Sequence, residues 1–219
     1  MSSTSPGAGT VDTNHLLDVW EDLCDPSLTS DDKLSRLFEH ETEVLELPYG
    51  FLTRIDETAD TQLIESAHGG HDLLQAGETA PLSETYCRET VRAPDGVFHV
   101  DNAAEEGWTD DPAYDRFGLG TYLGATVGST ESVYGTLCFA STEPRETAIS
   151  DSERRFAKLL AECVNDVLRN RLTCSCGTVL AVASDPTTDG EVTSIVECEN
   201  CGSEYAVTTS RLDELPIGL

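Results

Sequence analysis

Apolar side chains recur at helical spacing in three segments of the chain, residues 14–24, 30–47 and 150–171. Recurrence at i, i+3, i+4 and i+7 places the apolar residues of a segment on one face of an α-helix. The third segment keeps this spacing throughout, at Phe156, Leu159, Leu160, Cys163, Val164, Val167 and Leu168. The pattern therefore predicts three amphipathic helices, each covering a core with one face.

Capping signals mark the start of two of these helices. Ser30 is expected as the N-cap of the second helix, with Asp31 and Asp32 at its positive end. Ser150 and Glu153 form an S-x-x-E capping box at the start of the third helix.

Strands are indicated where apolar and polar residues alternate between turn residues. The predicted strands are 49–55, 62–67, 97–100, 120–127 and 132–140, with a tight turn at 128–131. The stretch 71–119 is the least periodic, with a helical turn or two expected at 82–91 and a loop at 111–117. This order predicts an α+β domain, an antiparallel sheet with helices on one face. A long irregular insertion of this kind is usually functional or disordered, and its aromatic residues Tyr86, Trp108, Tyr114 and Phe117 argue against disorder.

Charge narrows the range of functions. The 219 residues carry 13 Lys and Arg against 41 Asp and Glu, a net charge of -28. The sequence therefore offers no basic surface that could bind the phosphates of a nucleic acid, and direct nucleic-acid binding is not expected. The acidic, lysine-poor composition is typical of halophilic proteins, in which molar salt screens acid–acid repulsion.

Targeting signals are not apparent in the sequence. No segment reaches the ~18 apolar residues of a membrane span. Residues 1–12 are rich in Ser, Thr, Gly and Pro, which predicts a disordered tail and not a secretory signal. A cytoplasmic location without membrane contact is expected.

Five sequence blocks in the middle of the chain follow a recognisable order: GFLTRID, LSETYCRET, NAAEEGW, DPAYDRFGLGTYLGA and YGTLCFAS. Together they resemble a GAF domain over residues 28–172, most closely those of haloarchaeal bacterio-opsin-activator-like regulators and sensor kinases. The resemblance implies a six-stranded antiparallel sheet, with terminal helices on one face and a ligand-enclosing insertion on the other. Ligands of the family include cyclic nucleotides, haem, bilins and small metabolites. We therefore assign residues 13–172 to a GAF domain with N-terminal helices.

Four of the eight cysteines lie close together near the C-terminus. Cys174 and Cys176 form C-x-C-G, and Cys198 and Cys201 form C-x-x-C-G. Two cysteine turns that face each other supply the four thiolates of a tetrahedral Zn²⁺ site, although such a site suits iron as well. With strand-like segments at 178–183 and 192–197, residues 173–219 are predicted to be a small β zinc ribbon with one structural Zn²⁺.

The role of the ribbon is open at this point. The regulators that the chain resembles carry an output module after the GAF domain, and no helix-turn-helix or kinase segment follows here. The ribbon could be a stabilising appendage or could contact a protein partner. Nucleic-acid recognition comes last, because Arg211 is the only basic residue of 173–219.

Candidates for a ligand site are the polar and aromatic residues of the insertion and the facing strands: Tyr86, Arg88, His99, Asp101, Trp108, Tyr114 and Tyr122. The Arg88 guanidinium can fork onto a carboxylate or phosphate, and aromatic rings can enclose a planar ligand. The alternative is structural: Trp108 and Tyr114 would be core of the insertion, and Arg88 would pair with an acid such as Asp101.

Cys87 and Cys138 raise the question of redox chemistry. One GAF-fold family reduces free methionine sulfoxide with cysteine nucleophiles, and a thiolate near Arg88 would have a lowered pKa. That family also places a cysteine in the insertion, at the position of residues 115–120 here, which contain none. Cys138 lies in an apolar strand, where a small buried thiol is ordinary. The sequence also lacks G-x-S-x-G and H-E-x-x-H motifs, so no enzymatic activity is expected.

The sequence thus favours a cytoplasmic, non-enzymatic sensory or regulatory protein. Its GAF domain would bind a small ligand or mediate homodimerisation through the terminal helices, and its ribbon would contact a protein partner. Two alternatives remain. One is a thiol-based redox sensor or methionine-sulfoxide-reductase-like enzyme that uses Cys87, and the other is an interaction scaffold without a ligand.

Overall fold

The computed structural model describes residues 13–25, 27–129, 132–169, 194–198, 200–208 and 211–214. The predicted disordered tail at 1–12, the strand at 178–183 and the cysteines Cys174 and Cys176 lie outside these residues.

The helices of the described residues are α1 (Thr13–Cys24), α2 (Ser30–Val44), α3 (Cys87–Arg92), α4 (Pro112–Phe117) and α5 (Asp151–Arg169), with a 3₁₀ turn at Leu82–Glu84. The strands are β1 (Tyr49–Asp56), β2 (Thr61–His68), β3 (Thr79–Pro81), β4 (Val97–Val100), β5 (Thr121–Ser129), β6 (Ser132–Ser141), β7 (Ser194–Glu197), β8 (Glu204–Thr208) and β9 (Arg211–Glu214).

Six of the strands form one antiparallel sheet in the order β3-β2-β1-β6-β5-β4. Helices α1, α2 and α5 cover one face, and α3, α4 and their loops cover the other. We call these the helix face and the insertion face. The arrangement confirms the predicted α+β class with a six-stranded antiparallel sheet.

The helix face is built almost entirely from aliphatic and aromatic side chains. Leu34 and Phe38 of α2 and Leu160 of α5 are buried to 0%, 0% and 1% exposure, with α2 over β1 and β2 and α5 over β5. Phe38 also meets Phe139 of β6 edge to face, with ring centroids 6.2 Å apart. Burial of such side chains contributes about 1.5–3 kcal/mol each relative to exposure.

Capping confirms one predicted helix start and shifts the other by a residue. Ser150 and Glu153 exchange the predicted bonds, because the Glu153 amide donates to the Ser150 hydroxyl (3.2 Å) and the Ser150 amide donates to the Glu153 carboxylate (2.7 Å). In α2 the N-cap is Thr29 and not Ser30. The Thr29 hydroxyl accepts the Asp32 amide at 3.1 Å, and the Asp32 carboxylate accepts the Thr29 amide in return. Asp32 is therefore the third helical residue, the position that a capping box requires.

The insertion contains two elements that the sequence analysis did not predict. Residues 112–117 form helix α4 and not a loop, because Asp111 caps the Ala113 amide, Pro112 occupies the first turn and Gly118 ends the helix at φ 61°. Strand β3 pairs with β2 at the edge of the sheet, where Pro81, which has no amide hydrogen, is tolerated. Short elements of three to six residues carry too little periodicity for a sequence pattern to detect.

A second, three-stranded antiparallel sheet has the order β7-β8-β9. Strand β7 coincides with the C-terminal part of the predicted strand 192–197. Strands β8 and β9 were not predicted.

Candidate functional site

Four aromatic rings fill the interior of the insertion face. The Tyr86 ring lies 5.6 Å from Trp108, edge to face, and 5.3 Å from Tyr122, and Phe98 lies 5.4 Å from Trp108. Offset and edge-to-face pairs at these distances each stabilise by about 0.5–1.5 kcal/mol beyond their area burial. The predicted candidates Tyr86, Trp108 and Tyr122 therefore come together in one aromatic cluster.

The fold brings these rings together from three directions. Tyr122 projects from β5 over Gly124, where an added Cβ would lie 2.2 Å from the Tyr122 hydroxyl. Glycine is therefore required at 124 for the ring to lie flat along its own strand. Tyr86 precedes α3, and Trp108 is held by the bond from its amide to the Ala103 carbonyl at 2.8 Å.

A pair of thiols lies directly beneath the aromatic cluster. The sulfurs of Cys87, at the start of α3, and Cys138, on β6, are 3.7 Å apart, and the residues are 2% and 0% exposed. The Tyr122 hydroxyl lies 3.1 Å from the Cys138 sulfur and 3.5 Å from the Cys87 sulfur. It is also 2.9 Å from the Thr90 hydroxyl. The thiols thus share a buried polar network with the ring that the sequence placed in the site.

The pKa values of the two thiols are shifted in opposite directions. Burial alone would raise the pKa of Cys87, but hydrogen bonds from Cys138, Thr136, Tyr122 and Thr85 outweigh it and lower the pKa below the ordinary value. Burial and the neighbouring Cys87 raise the pKa of Cys138 well above the ordinary value. One sulfur of the pair is therefore the preferred thiolate, and the other keeps its proton. The cause differs from the sequence-based expectation, in which Arg88 was to acidify Cys87.

Arg88 lies at the rim of the cluster in a network of its own. Its guanidinium bonds to the Asp111 carboxylate (2.5 Å), the Glu89 carboxylate (3.1 Å) and the Thr85 carbonyl (2.7 Å). Its side chain is 11% exposed. The structural alternative paired Arg88 with a neighbouring acid such as Asp101, and the structure does pair it with acids, which are Asp111 and Glu89.

Tyr86 carries a hydroxyl without a hydrogen-bond partner among the described residues. The residue is 2% exposed, and its pKa is raised by burial first and by the Asp111 carboxylate second. A buried hydroxyl that makes no bond costs about 1–3 kcal/mol. Such a group marks a place where a ligand atom would be stabilising.

The remaining candidates divide between the cluster, the loops and the opposite face. Tyr114 of α4 is half-buried and packs against the insertion-face core. Asp101 holds its loop to neighbouring segments by hydrogen bonds. Its side chain accepts a hydrogen bond from the Ile149 amide at 2.7 Å, and its carbonyl accepts one from the Thr121 hydroxyl. His99 alternates with Phe98 along β4 and thus points to the helix face, where it lies near Asp151 of α5. Asp101 and His99 do not join the aromatic cluster.

Sequence reasoning missed three members of the site: Phe98, Asp111 and the pairing of Cys138 with Cys87. Phe98 was passed over because its neighbour His99 was the candidate on that short strand, and adjacent strand residues point to opposite faces of the sheet. Asp111 had a signal as a helix cap before Pro112. Only the register of β6 against β5, which sets Cys138 opposite Gly124, brings the two cysteines together. That register is a long-range property of the fold.

Two of the four predicted metal ligands, Cys198 and Cys201, belong to the described residues. They lie in the tight turn between β7 and β8, where the Gly202 amide donates to the Cys198 carbonyl at 2.8 Å. Gly202 has a positive φ of 71°, and Cys198 is buried to 0% exposure. Within the described residues no group of three or more His, Cys, Asp or Glu side chains converges as a metal site. The other two predicted ligands lie outside those residues.

Among the described helices none is both long and apolar enough to cross a membrane.

The fold has many counterparts among solved structures. The GAF domain of an Acinetobacter phosphoenolpyruvate-protein phosphotransferase superposes with a TM-score of 0.57 at 17% identity, covering 70% of this chain and 90% of that one. A free methionine-R-sulfoxide reductase from Neisseria meningitidis, in complex with its substrate, gives 0.56 at 11%, covering 75% and 95%. A phycocyanobilin-bound GAF domain from a cyanobacterial phytochrome gives 0.54 at 11%, covering 73% and 95%.

These structural likenesses, at low identity, show the fold alone. No curated protein matches the sequence. The family model of the GAF domain matches residues 32–168, more than half of the chain and the whole of the six-stranded sheet. The chain belongs to the GAF domain family.

Proposed function

We propose that this protein is a non-enzymatic sensory or regulatory protein whose GAF domain binds a small ligand at the insertion face. The observation that carries the proposal is the buried Tyr86 hydroxyl, which has no hydrogen-bond partner among the described residues and feels the charges of the Arg88–Asp111 ion pair at the rim of the aromatic cluster. Phenylalanine would serve better at a site built only for packing, because a buried hydroxyl without a hydrogen bond destabilises the fold.

The chemistry of the cluster favours a planar ligand with an acceptor or anionic group. Its planar group would enter at the contact between Tyr86 and Trp108, whose rings meet edge to face, and its acceptor would accept a hydrogen bond from the Tyr86 hydroxyl. An anionic group would replace Asp111 on the Arg88 guanidinium, which forks onto such groups. The small-molecule occupants named for the phytochrome and reductase structures support the same use of the fold here.

Because the four rings fill the interior, the ligand enters only if the insertion moves. This separates the proposal from the scaffold alternative, in which the rings stay closed. Native mass spectrometry of freshly purified full-length protein tests it. We expect a mass larger than that of the chain and its metal, the difference being a bound small molecule. Tyr86→Phe and Arg88→Gln should retain less of this molecule than the control Arg92→Gln, which changes an exposed arginine on the same helix. A spectrum accounted for by chain and metal alone, with no metabolite released on denaturation, would contradict it.

The C-terminal region is proposed to be a zinc ribbon that contacts a protein partner. Cys198 and Cys201, with Cys174 and Cys176, would hold one Zn²⁺, which supplies folding free energy to a segment too small for its own core. Metal analysis tests this. About one equivalent of zinc is expected in the native protein, falling in Cys198→Ser but not in Cys24→Ser, an exposed cysteine of α1. Iron in place of zinc, or no metal, would overturn the assignment.

A homodimer through the terminal helices is the third part of the proposal. On α1, Leu17 and Trp20 are 55% and 57% exposed, and Leu159 of α5 is 45% exposed, beside a groove that Leu16 and Phe156 line. A two-fold pairing would bury this surface. Light scattering in high salt should give twice 23.6 kDa for the native chain and for Leu73→Glu, whose side chain is exposed in the insertion. Trp20→Glu should give the monomer mass. A monomeric native chain would contradict the dimer.

A further inference from the structure

We infer that Cys87 and Cys138 are a redox-active pair, a site at which a hydroperoxide oxidises the two buried thiols to a disulfide. The inference does not depend on the proposed ligand or on zinc. It rests on the placement of two sulfurs from distant parts of the sequence, 3.7 Å apart and oriented by hydroxyl groups. A disulfide joins sulfurs at about 2.05 Å, so the pair is less than 2 Å from bonding distance.

The surroundings of the sulfurs are more polar than packing requires. The Tyr122 hydroxyl contacts both sulfurs, and the Cys138 sulfur lies 3.1 Å from the Thr136 hydroxyl. Thr136 is itself bonded to the Thr53 hydroxyl at 2.8 Å across the two strands. Buried hydroxyl groups in an apolar core are costly unless they bond to one another or to a charged partner. A thiolate at Cys87 is such a partner, since the Tyr122 and Thr136 hydroxyls can donate to it.

Position and acidity together assign a different role to each sulfur. Cys87 is the nucleophile, because it lies on the short helix α3 of the insertion and because its hydrogen bonds lower its pKa and so favour the thiolate, the reactive form of cysteine. Cys138 is the resolving residue. It retains its proton beside Cys87 and lies on the central strand β6, which cannot move without disturbing the sheet. Cys87 lies at the first residue of α3, a helix of six residues that a small shift of the insertion would carry.

The reaction balances with a hydroperoxide as the oxidant. The Cys87 thiol first releases its proton to water. The thiolate then attacks the terminal oxygen, the O–O bond breaks, and the alkoxide (or hydroxide) leaves and takes up a proton from water in place of the one released, so that Cys87 becomes a sulfenic acid. The Cys138 sulfur then attacks the Cys87 sulfur, the S–O bond breaks, and hydroxide leaves as water with the Cys138 proton. The two thiols have lost two electrons and two protons, and the peroxide has been reduced to an alcohol and water.

The disulfide would fix the start of α3 to β6. Tyr86 directly precedes Cys87 and contacts Trp108, so the bond would reposition the aromatic cluster at the same time. It would also close a long loop of chain, which raises the thermal midpoint by constraining the unfolded state. Oxidation would thus change the conformation of the insertion face and leave the helix face unchanged.

The test uses the full-length protein, reduced and then freed of reductant. It is exposed to equimolar hydrogen peroxide, denatured in an alkylating agent and digested for peptide mass spectrometry. We expect a peptide pair joined through Cys87 and Cys138, reversed by a dithiol reductant. Recovery of both residues as alkylated thiols, while other cysteines of the chain are oxidised, would overturn the inference.

Variants separate the two roles from packing. In Cys138→Ala the Cys87 sulfenic acid should persist and be trapped by dimedone, whereas in Cys87→Ser no trapped product should form at Cys138. Cys163→Ser, on the helix face, serves as the matched control and should form the disulfide at the native rate. Equal trapping at Cys87 in the native chain and in Cys138→Ala would mean that no resolving step exists, and the pair would be refuted.

Tyr122→Phe tests the positioning role of the hydroxyl without removing either sulfur. Loss of a donor to the Cys87 thiolate should slow disulfide formation several-fold at neutral pH and shift its pH midpoint upward. A midpoint unchanged from the native chain would contradict this role. A Trp20→Phe background leaves Trp108 as the only tryptophan, so its fluorescence should change on oxidation and stay constant when Cys87 is replaced by Ser.

Discussion

The two faces of the central sheet are equally buried and chemically unlike. On β6, Leu137 and Phe139 point to the helix face, and Thr136 and Cys138 point to the insertion face, and all four are 0% exposed. The helix face joins long helices through aliphatic and aromatic contacts. The insertion face joins short helices and loops through hydroxyls, thiols and an ion pair. Adjacent residues of one strand thus belong to two different layers, one of apolar packing and one with polar and reactive groups.

The difference follows from what each layer requires. A layer that only stabilises is best filled by apolar atoms, because each buried polar group must find a partner. The insertion face carries that cost at Tyr86, whose hydroxyl finds no partner in the part of the chain that the structure describes, and offsets it at Tyr122 by bonds to Thr90 and Cys138. Polar groups buried against a sheet that could have been apolar indicate a functional surface.

The largest expected effect comes from a helix-face truncation. Phe139→Ala removes a fully buried ring that packs against Phe38, and it should lower the free energy of unfolding by about 3–5 kcal/mol. Cys138→Ala, one residue away on the opposite face, should cost much less, because only a sulfur atom is removed. Urea unfolding at constant salt measures both. Equal losses would break the comparison between the two faces.

An intermediate effect is expected at the rim of the insertion face. Asp111→Ala removes the cap of α4 and leaves Arg88 with one carboxylate fewer. A lost N-cap costs about 0.5–2 kcal/mol, so we expect a loss in that range. Asp110→Ala is the control, since that residue is exposed and outside the helix. A loss shared by both variants would show that the charge of the loop matters and the cap does not.

The smallest effect concerns a buried acid on the helix face. Glu41 of α2 is 0% exposed and accepts the His15 side chain at 2.9 Å. Burial raises its pKa above the ordinary 4.5, and the hydrogen bond to His15 offsets the rise only in part. A raised folded-state pKa means that the contribution of Glu41 is fully present below the unfolded value and lost as pH rises through the folded value.

Glu41→Gln keeps a bonding side chain and removes the charge. The variant should therefore gain stability over the native chain as pH rises above the ordinary value of 4.5, because the carboxyl then ionises freely in the unfolded chain and only at a cost in the folded one. Urea unfolding across that pH range checks it, with Glu39→Gln, exposed on the same helix, as the control. A difference that is constant with pH, or that favours the native chain more as pH rises, would contradict the sign.

The sequence predicted the helix face far better than the insertion face. Periodic stripes define α1, α2 and α5, and the one stripe residue of α5 that the structure exposes strongly is Leu159. Long amphipathic helices repeat the same signal over several turns, so a single exception does not hide it.

The insertion was harder to predict for physical reasons. Helix α4 and strand β3 are too short for periodicity to appear. The conformation of the loop, which places Asp111 and not Asp101 beside Arg88, also leaves no local sequence pattern. The Cys87–Cys138 pair depends on strand register across 51 residues of sequence. Local pattern identified the aromatic residues that form the cluster, and tertiary structure alone decided that His99 and Asp101 stand outside it.

The central claim is that the insertion face opens independently of the helix face, since every proposed reaction or ligand must reach buried groups there. Helices α3 and α4 have six residues each, and helices of that length have little stability of their own. Strands β5 and β6 each pair with neighbours on both sides. Opening of the insertion should therefore cost less than global unfolding.

Hydrogen exchange of the native full-length protein, followed by mass spectrometry in low urea, tests this claim most directly. Amides of α3 and α4 should exchange at least about tenfold faster than those of β5 and β6, a difference of about 1.4 kcal/mol, and with a weaker dependence on urea. Equal protection and equal urea dependence in both sets would show that the two faces open only together, and would contradict the account.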